Sequence, residues 1–335
     1  MIAAIFGISG LELIPSERDF LREAEPAGYI LFGRNFSDKA QTRALTDSLR
    51  ALHGRGDLPI MVDQEGGRVQ RMKPPVWPEF PAGRRFADLY RLSPIAGIEA
   101  ARLNAQALGA SLAEVGITID CLPLLDVRQP GASDVIGDRA LGEEPMQVAA
   151  LGRAVLDGLG RAGVGGIVKH IPGHGRAAVD SHKSLPVVEA SAEQLERDIE
   201  PFRTLSHAPM AMTAHIVFTA WDATRPATLS PVVIEDVIRR KIGFDGLLFS
   251  DDLDMEALDG TVPQRAEAAV RAGCDIALNC WAKMDDMAGI ANRLGTIGPE
   301  AKRRLEAACV SLGAAAPPEH SEELVARRDE LLALV

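Results

Sequence analysis

Eight short apolar segments, each the length of one β-strand, alternate with amphipathic segments of helical periodicity along most of the 335 residues. The strand patterns cover residues 3–7, 28–32, 58–62, 118–122, 165–169, 210–214, 246–250 and 275–278. The helical patterns cover residues 37–52, 95–115, 145–161, 191–206, 231–241, 263–272, 299–312 and 321–334. Alternation of this kind predicts a parallel sheet. Eight such units predict an α/β fold that closes into a (β/α)8 barrel of the TIM type.

A doubly wound open sheet is the alternative fold for this pattern. It usually carries a GxGxxG phosphate loop after its first strand, and this chain has none there. No internal repeat or low-complexity linker divides the sequence, and the length suits one large α/β domain. We therefore expect residues 1–335 to form a single catalytic barrel domain, with the C-terminal helices packed outside the barrel.

Composition limits the partners of the chain. The 47 acidic and 36 basic residues give a net charge of −11, and no basic run is present, which excludes a typical nucleic-acid-binding surface. The four cysteines lack metal-site spacing and are typical of free thiols in a reducing compartment. The first ten residues, MIAAIFGISG, carry no cationic leader and too short an apolar run to span a membrane. We expect a soluble cytoplasmic protein with no nucleic-acid or membrane partner.

A barrel of this type places its active site beyond the carboxyl ends of the strands. Polar residues follow seven of the eight predicted strands at that end, whereas the opposite ends carry mostly Gly, Pro and Ala. The polar residues are Arg34, Asn35, Asp63, Gln64, Glu65, Asp126, Lys169, His170, His215, Asp251, Asp252 and Asn279. This one-sided distribution predicts a functional site at the carboxyl end.

Residues 168–186 hold three of the seven histidines of the chain, together with two lysines and an aspartate. They contain His170, His174 and His182 on a frame of glycines and prolines, which indicates a loop that leaves the fifth strand. Asp180 and His182 are two positions apart, so in an extended backbone a carboxylate can orient the imidazole for proton transfer. A contact that only stabilises the loop remains the alternative reading.

Two further segments carry candidate site residues. The glycines of 63–71 let the backbone turn sharply, so that Asp63 and Arg71 can converge on a ligand with hydroxyl groups, such as a sugar. A surface ion pair is the alternative there. Asp251 and Asp252 end the seventh strand, and neighbouring strand residues point to opposite faces. We expect one of them to face the barrel mouth and the other to cap the following turn.

Five segments together resemble the family 3 glycoside hydrolases, over about residues 7–278. They are DQEGGRVQR (63–71), IGDRALG (136–142), KHIPGHGRAAVDSH (169–182), PATLSP (226–231) and FDGLLFSDDLDM (244–255). Within the family the chain is most similar to bacterial cytosolic β-N-acetylhexosaminidases of peptidoglycan recycling. The departures are Ile171, where phenylalanine is frequent, and Asp254, where a small polar residue is frequent.

The resemblance implies a (β/α)8 barrel and a set of residue roles. Asp251 matches the nucleophile, His182 the general acid/base and Asp180 its orienting partner. The residues that match those holding the terminal N-acetylglucosamine are Asp63, Arg71, Arg139, Lys169 and His170. The implied activity is a retaining exo-β-N-acetylglucosaminidase that removes terminal β-1,4-linked N-acetylglucosamine from GlcNAc-anhydroMurNAc-peptides through a covalent glycosyl-enzyme. No cofactor or metal is implied, the partner is a glycan or glycopeptide, and the oligomeric state stays open, with a monomer among the options.

Two other classes of function compete with this one. A zinc-dependent barrel hydrolase would use His170, His174, His182, His215 and Asp251 as ligands. It would be expected to carry a His-x-His after the first strand, which is missing, and the charge of Lys169 opposes a bound cation. A non-catalytic sugar-binding barrel would keep Asp63 and Arg71 but has no need for the Asp180–His182 pair.

Overall fold

The computed structural model of the protein describes residues 1–181, 184–310, 312 and 321–335. Among these residues, eight parallel strands close into a barrel in which each strand pairs with its neighbours in the chain and the first pairs with the last. The strands are β1 (Ile2–Gly7), β2 (Pro26–Leu31), β3 (Ile60–Val62), β4 (Ile119–Asp120), β5 (Gly165–Ile171), β6 (Met210–Thr213), β7 (Leu247–Asp252) and β8 (Ile276–Asn279). The predicted (β/α)8 barrel is confirmed, and each predicted strand coincides with one barrel strand.

Helices surround the barrel. They are α1 (Pro15–Ala24), α2 (Lys39–His53), α3 (Gly83–Leu92), α4 (Pro94–Glu114), α5 (Pro145–Arg161), α6 (Ala192–Thr204), α7 (Val233–Ile242), α8 (Val262–Ala272), α9 (Met284–Leu294), α10 (Pro299–Cys309) and α11 (Ser321–Leu332). The sequence pattern did not predict helices α1, α3 and α9. Each is only 10 or 11 residues long. In α9 an internal glycine, Gly289, also weakens the helical signal.

The alternation of side chains along the strands divides the apolar core into two layers. Ile5, Ile167 and Phe249 belong to a cluster of strand residues inside the barrel. Their neighbours Phe6 and Val168 belong to a larger cluster shared with the helices. Both layers are apolar because a parallel barrel strand is covered on both faces.

The two ends of the barrel differ in chemistry. At the amino ends of the strands, Ile297 and Leu305 join the interior cluster and close the barrel with apolar side chains. The N–H of Ile297 donates to the carbonyl oxygen of Met1 (3.1 Å), which ties this closure to β1. The carboxyl ends carry the polar residues and remain open to a ligand. No helix in the described ranges combines the length and apolar content needed to cross a membrane.

Candidate active site

The carboxyl ends of the barrel strands surround a cavity of about 140 Å³. Its polar lining residues include Asp63, Glu65, Arg71, Arg139, Lys169, His170, His174, Ser181, Asp251 and Asp252. The structure therefore brings together Asp63, Arg71, Arg139, Lys169, His170 and Asp251, to which the family resemblance gave roles. Glu65, a strand-end residue that had no assigned role, lines the same cavity. The other strand-end polar residues do not line it: Arg34, Asn35, Gln64, Asp126, His215 and Asn279.

Five charged side chains form a largely buried ion-pair network on one side of the cavity. Lys169 at the end of β5 contacts Asp63 Oδ1 (3.0 Å) and Glu65 Oε1 (2.7 Å) through its Nζ and is only 2% exposed. Arg139 donates one hydrogen bond to each carboxylate oxygen of Glu65, both at 2.7 Å. Arg71 reaches Asp63 Oδ2 at 3.3 Å from its more exposed position. Each charged group in the network thus has an opposite charge beside it, and their attraction offsets the free-energy cost of removing them from water.

The charges in this network hold one another ionised. Burial by itself would raise the pKa of Asp63, but the charges of Lys169 and Arg71 outweigh it and hold that pKa below its ordinary value. Burial also opposes ionisation of Glu65, yet Arg139 and Lys169 lower its pKa to about 2. The pKa of Lys169 is raised by Asp63 and Glu65 despite its burial. The network presents fixed charges that can bind hydroxyl and amide groups of a ligand.

His170 is oriented by Asp126, the polar residue that follows β4. The ring Nδ1 of His170 lies 2.8 Å from Asp126 Oδ2. The other carboxylate oxygen, Oδ1, accepts hydrogen bonds from the main-chain N–H groups of His170 (3.2 Å) and His174 (2.6 Å). Burial would raise the pKa of Asp126, but the pairing with His170 lowers it. Asp126 therefore fixes the start of the loop that leaves β5. Its position after a strand had predicted that it lies near the functional site, but not this specific role.

Asp251 sits at the end of β7 with its carboxylate held in place by the main chain. The N–H of Asp252 donates to Asp251 Oδ1 (2.8 Å), and the N–H of Asp251 donates to Thr213 Oγ1 (3.3 Å). Burial acts to raise the pKa of Asp251, but the nearby His170 and the hydrogen bond from the N–H of Asp252 lower it below the ordinary value. The side chain is thus a carboxylate at neutral pH, as a nucleophile must be.

Asp252 has the opposite electrostatic environment. Burial and the neighbouring Asp254 carboxylate raise its pKa to about 8. Its Oδ1 accepts hydrogen bonds from the N–H of Asp254 (3.1 Å) and the N–H of Cys280 (3.3 Å). Asp252 therefore caps the turn after β7, as expected for one of the two carboxylates. The expectation that only the other would face the barrel mouth is wrong, because both carboxylates border the cavity.

Comparison with known proteins gives the family of the chain. The model of the glycosyl hydrolase family 3 N terminal domain matches residues 10–310. The chain belongs to glycosyl hydrolase family 3. Among curated members, the Beta-hexosaminidase of Aromatoleum aromaticum is 38% identical over 306 residues, which is 90% of this chain and 85% of the relative. That of Methylococcus capsulatus is 38% identical over 91% of each chain.

Solved structures of family 3 enzymes agree with the fold along the whole chain. NagZ from Neisseria gonorrhoeae in complex with N-trifluoroacetyl-D-glucosamine superposes with a TM-score of 0.88 at 33% identity, covering 99% of this chain and 97% of that one. A family 3 β-N-acetylglucosaminidase from Paenibacillus gives a TM-score of 0.86 at 31% identity. It covers 98% of this chain and 67% of the Paenibacillus chain. The resemblance that the sequence motifs suggested is confirmed at the level of the family.

The predicted acid/base pair of this family 3 chain lies partly outside the described residues. His182 is not among them, so its pairing with Asp180 stays a prediction. Ser181, the residue before His182, borders the cavity, and its hydroxyl lies 3.2 Å from His174 Nε2. Burial, together with the nearby charge of His170, lowers the pKa of His174 to about 4, so that this imidazole is neutral at pH 7.

The geometry of the described histidines does not suit the zinc hypothesis. Both ring nitrogens of His215 are engaged, with Thr228 Oγ1 (2.7 Å) and with the carbonyl oxygen of Asp252 (2.9 Å). His170 Nδ1 is engaged with Asp126. Within the described part of the chain, no three His, Cys, Asp or Glu side chains are grouped so that they can hold a metal ion. His182, a member of the predicted zinc set, lies outside that part.

Proposed function

We propose that this family 3 glycoside hydrolase is a retaining exo-β-N-acetylglucosaminidase that acts in the cytoplasm on GlcNAc-anhydroMurNAc-peptides. The observation that carries the proposal is the half-buried carboxylate of Asp251, which lines the same cavity as the Asp63–Lys169 ion pair and has a lowered pKa. Curated relatives named Beta-hexosaminidase support the β-N-acetylhexosaminidase type. The N-trifluoroacetyl-D-glucosamine in the Neisseria structure supports a site for an N-acylated glucosamine.

The proposed reaction is a double displacement. Asp251 attacks the anomeric carbon while His182, charged and oriented by Asp180, gives its proton to the departing glycosidic oxygen. Water then attacks the same carbon and releases Asp251, and the neutral His182 accepts the proton of that water. A carboxylate–histidine pair here replaces the second carboxylate of most glycosidases, so the usual rule on carboxyl separation does not apply.

The ion-pair network is proposed to hold the terminal sugar. Asp63 accepts hydrogen bonds from sugar hydroxyls, and Lys169 and Arg71 donate to sugar oxygens. Hydrogen bonds of this kind are stronger than those between neutral groups, because one partner is ionised. His170 is held by Asp126 and has its Nε2 free of that contact. Arg139 uses three N–H groups within the protein, on Glu65 and on the carbonyl oxygen of Val135, which leaves two for a ligand.

Hydrolysis of an aryl β-N-acetylglucosaminide, compared with the matching aryl β-glucoside in the presence of EDTA, tests the proposal. We expect strong preference for the N-acetylated substrate and full activity after chelation. Loss of activity on chelation would favour the zinc hydrolase instead. Binding of N-acetylglucosamine without any hydrolysis would favour the non-catalytic sugar-binding barrel. Release of N-acetylglucosamine from a purified GlcNAc-anhydroMurNAc-peptide, faster than from chitobiose, is the expected result for the natural substrate.

A further inference from the structure

Four hydrogen bonds connect the main chain of Asp251 and Asp252 through three buried side chains. The N–H of Asp251 lies 3.3 Å from Thr213 Oγ1, which lies 2.8 Å from Thr228 Oγ1. Thr228 Oγ1 lies 2.7 Å from His215 Nδ1, and His215 Nε2 lies 2.9 Å from the carbonyl oxygen of Asp252. Thr213, Thr228 and His215 have no solvent exposure. These three residues are called the support chain below.

The direction of each hydrogen bond in the support chain follows from its two ends. A main-chain N–H can only donate and a carbonyl oxygen can only accept. Asp251 therefore donates to Thr213, and the Thr213 hydroxyl is left to donate to Thr228. At the other end, His215 must carry a hydrogen on Nε2 to donate to Asp252. Burial lowers the pKa of His215, so the ring is neutral and its Nδ1 is an acceptor. The Thr228 hydroxyl therefore gives its one hydrogen to Nδ1 at 2.7 Å, in preference to the carbonyl oxygen of Ala214 at 3.1 Å.

The two ends of the support chain contact main-chain groups on either side of the peptide group that links Asp251 to Asp252. That peptide group orients the Asp251 carboxylate. The N–H of that peptide, which belongs to Asp252, donates to Asp251 Oδ1 at 2.8 Å. A rotation of the peptide would therefore turn the carboxylate. The support chain resists such a rotation because it fixes the N–H before the peptide and the carbonyl group after it.

We propose that Thr228 and His215 are positioning residues that keep the Asp251 carboxylate aimed at the anomeric carbon. The inference rests on the proposed function, in which Asp251 is the nucleophile. It also gives a role to the 226–231 segment, because Thr228 lies in the short turn Ala227–Leu229 within it. Neither Thr228 nor His215 borders the cavity, so both act through the Asp251–Asp252 main chain and not on the sugar.

Two substitutions at Thr228 distinguish the effect of its hydroxyl group from the effect of its side-chain volume. Thr228→Val keeps the branched shape but removes the hydroxyl, so the Thr213 hydroxyl loses its acceptor and His215 Nδ1 loses its donor. Thr228→Ser keeps the hydroxyl and loses one methyl group. A role in packing alone would make the serine variant the worse of the two, whereas a role in positioning would make the valine variant the worse.

The measurement is the rate at which a 5-fluoro N-acetylglucosaminyl fluoride labels Asp251 in the full-length protein, followed by mass spectrometry. In this step Asp251 forms a bond to the anomeric carbon and fluoride leaves with its electron pair. Fluoride needs no proton to depart, so the rate reports the nucleophile without His182. The dissociation constant for N-acetylglucosamine, measured in parallel by calorimetry, reports the sugar site.

We expect Thr228→Val to be labelled about 10- to 100-fold more slowly than the wild type, as for a displaced reacting group. Thr228→Ser should recover most of the rate, and both variants should bind N-acetylglucosamine as the wild type does. Equal labelling of the valine variant and the wild type would overturn the inference. So would a serine variant as slow as the valine variant, or sugar binding that weakens in step with labelling.

If Thr228→Val does not fold, Thr213→Val and Thr213→Ser provide the same test. Slow labelling of the valine variant alone supports the inference, and equal labelling of the two variants overturns it. The proposed function has a separate mode of failure. A wild-type protein that neither hydrolyses aryl N-acetylglucosaminides nor becomes labelled would refute the function and the inference together. A wild type that is labelled, with no difference between the valine and serine variants, would refute the inference alone.

Discussion

The negative charge of Asp251 is the property that its proposed chemistry uses. Asp251→Asn keeps the size of the side chain and an oxygen that can accept from the N–H of Asp252, so the fold should be unchanged. The neutral amide cannot form the glycosyl-enzyme, and we expect kcat to fall by at least about a thousandfold. Binding of N-acetylglucosamine, measured by calorimetry, should remain. Wild-type turnover in this variant would remove Asp251 as the nucleophile and make Asp252 the next candidate.

His182 is predicted to be the proton donor, and this role has its own kinetic signature. Protonation of the departing oxygen matters less when that oxygen is already stable as an anion. His182→Ala should therefore lose more activity on substrates with poor leaving groups than on activated aryl glycosides. The check is a plot of log kcat/KM against the pKa of the leaving group for both enzymes. Equal slopes would exclude His182, and the Asp180 pairing with it, from the mechanism.

Lys169 and Arg71 both contact Asp63, but they differ in burial. Lys169→Ala leaves Asp63 and Glu65 without their shared partner in the buried network, and should cost about 3–5 kcal/mol of the free energy of unfolding. Arg71→Ala removes a side chain that is 34% exposed, and should cost less than about 1 kcal/mol.

Both of these substitutions should lower kcat/KM roughly 10- to 100-fold, since each removes a charged group that is proposed to donate a hydrogen bond to the sugar. The exposed Arg84→Ala is the matched control, and neither its activity nor its stability should change by more than a small amount. Urea unfolding and steady-state kinetics give the two quantities. Equal stability losses for Lys169→Ala and Arg71→Ala would contradict the account of the network.

Some site residues could be predicted from the sequence and others could not. Asp63, Lys169 and Asp251 could be predicted because each ends a barrel strand and matches a family motif. Glu65 ends the same segment as Asp63, but its pairing with Lys169 and Arg139 joins three separate parts of the chain. Nothing in the local pattern of a sequence encodes such a pairing. Thr228 gave no signal of its own either, because its partners Thr213 and His215 lie at the end of another strand and just beyond it.

At the scale of elements, the loop that leaves β5 is seated against the segment after β4. A Cβ added to Gly175 would lie 1.9 Å from the carbonyl oxygen of Val127, and the N–H of Gln129 donates to the Gly175 carbonyl oxygen (3.0 Å). Gly175→Ala must therefore displace the loop that carries Asp180 and His182. We expect kcat/KM to fall about 10- to 100-fold, with a larger loss for poor leaving groups.

Gly160→Ala is the control for this substitution. Gly160 lies in α5, and a Cβ added there meets no atom within 4 Å. The variant should keep its activity and gain about 0.5–1 kcal/mol of stability from the higher helix propensity of alanine. Wild-type kinetics in Gly175→Ala would mean that the loop is not held through this contact.

The elements that could be predicted are those with a strong and uninterrupted pattern. Each barrel strand is a short apolar run because both of its faces are buried. Helix α9 escaped prediction because Gly289 lies in its middle. A Cβ added there would lie 2.5 Å from Pro263 Cγ, so the glycine permits the close approach of α8 to α9. This requirement is tertiary, and the local sequence gives only the glycine itself.

At the scale of the whole molecule, the barrel and its last helices are proposed to form one catalytic domain. Helix α10 contributes Leu305 to the apolar closure of the barrel. Helix α11 packs on α4, and Arg328 Nη1 donates to Asn104 Oδ1 at 3.0 Å. Elements held in this way should unfold together, in a single cooperative transition by calorimetry. Two separate transitions would divide the chain into more than one domain.

The stability of the whole protein should depend on pH through Asp252. Its pKa is raised to about 8 by burial and by Asp254, while in the unfolded chain it returns to the ordinary value of an aspartate. Between these two values the folded state binds one proton more than the unfolded state. The contribution of this group to the free energy of unfolding is therefore fully present at acid pH and is lost as the pH rises towards 8.

Asp252→Asn removes this proton but keeps an oxygen that can accept from the N–H groups of Asp254 and Cys280. The free energy of unfolding of the variant, relative to the wild type, should increase between pH 4.5 and pH 8, by at most about 1.4 kcal/mol per pH unit. The exposed Asp259→Asn is the control for removal of a carboxyl group at the protein surface. Urea unfolding of the three proteins over this range provides the measurement. A constant difference for Asp252→Asn would show that its carboxyl group is ionised in the folded protein at neutral pH.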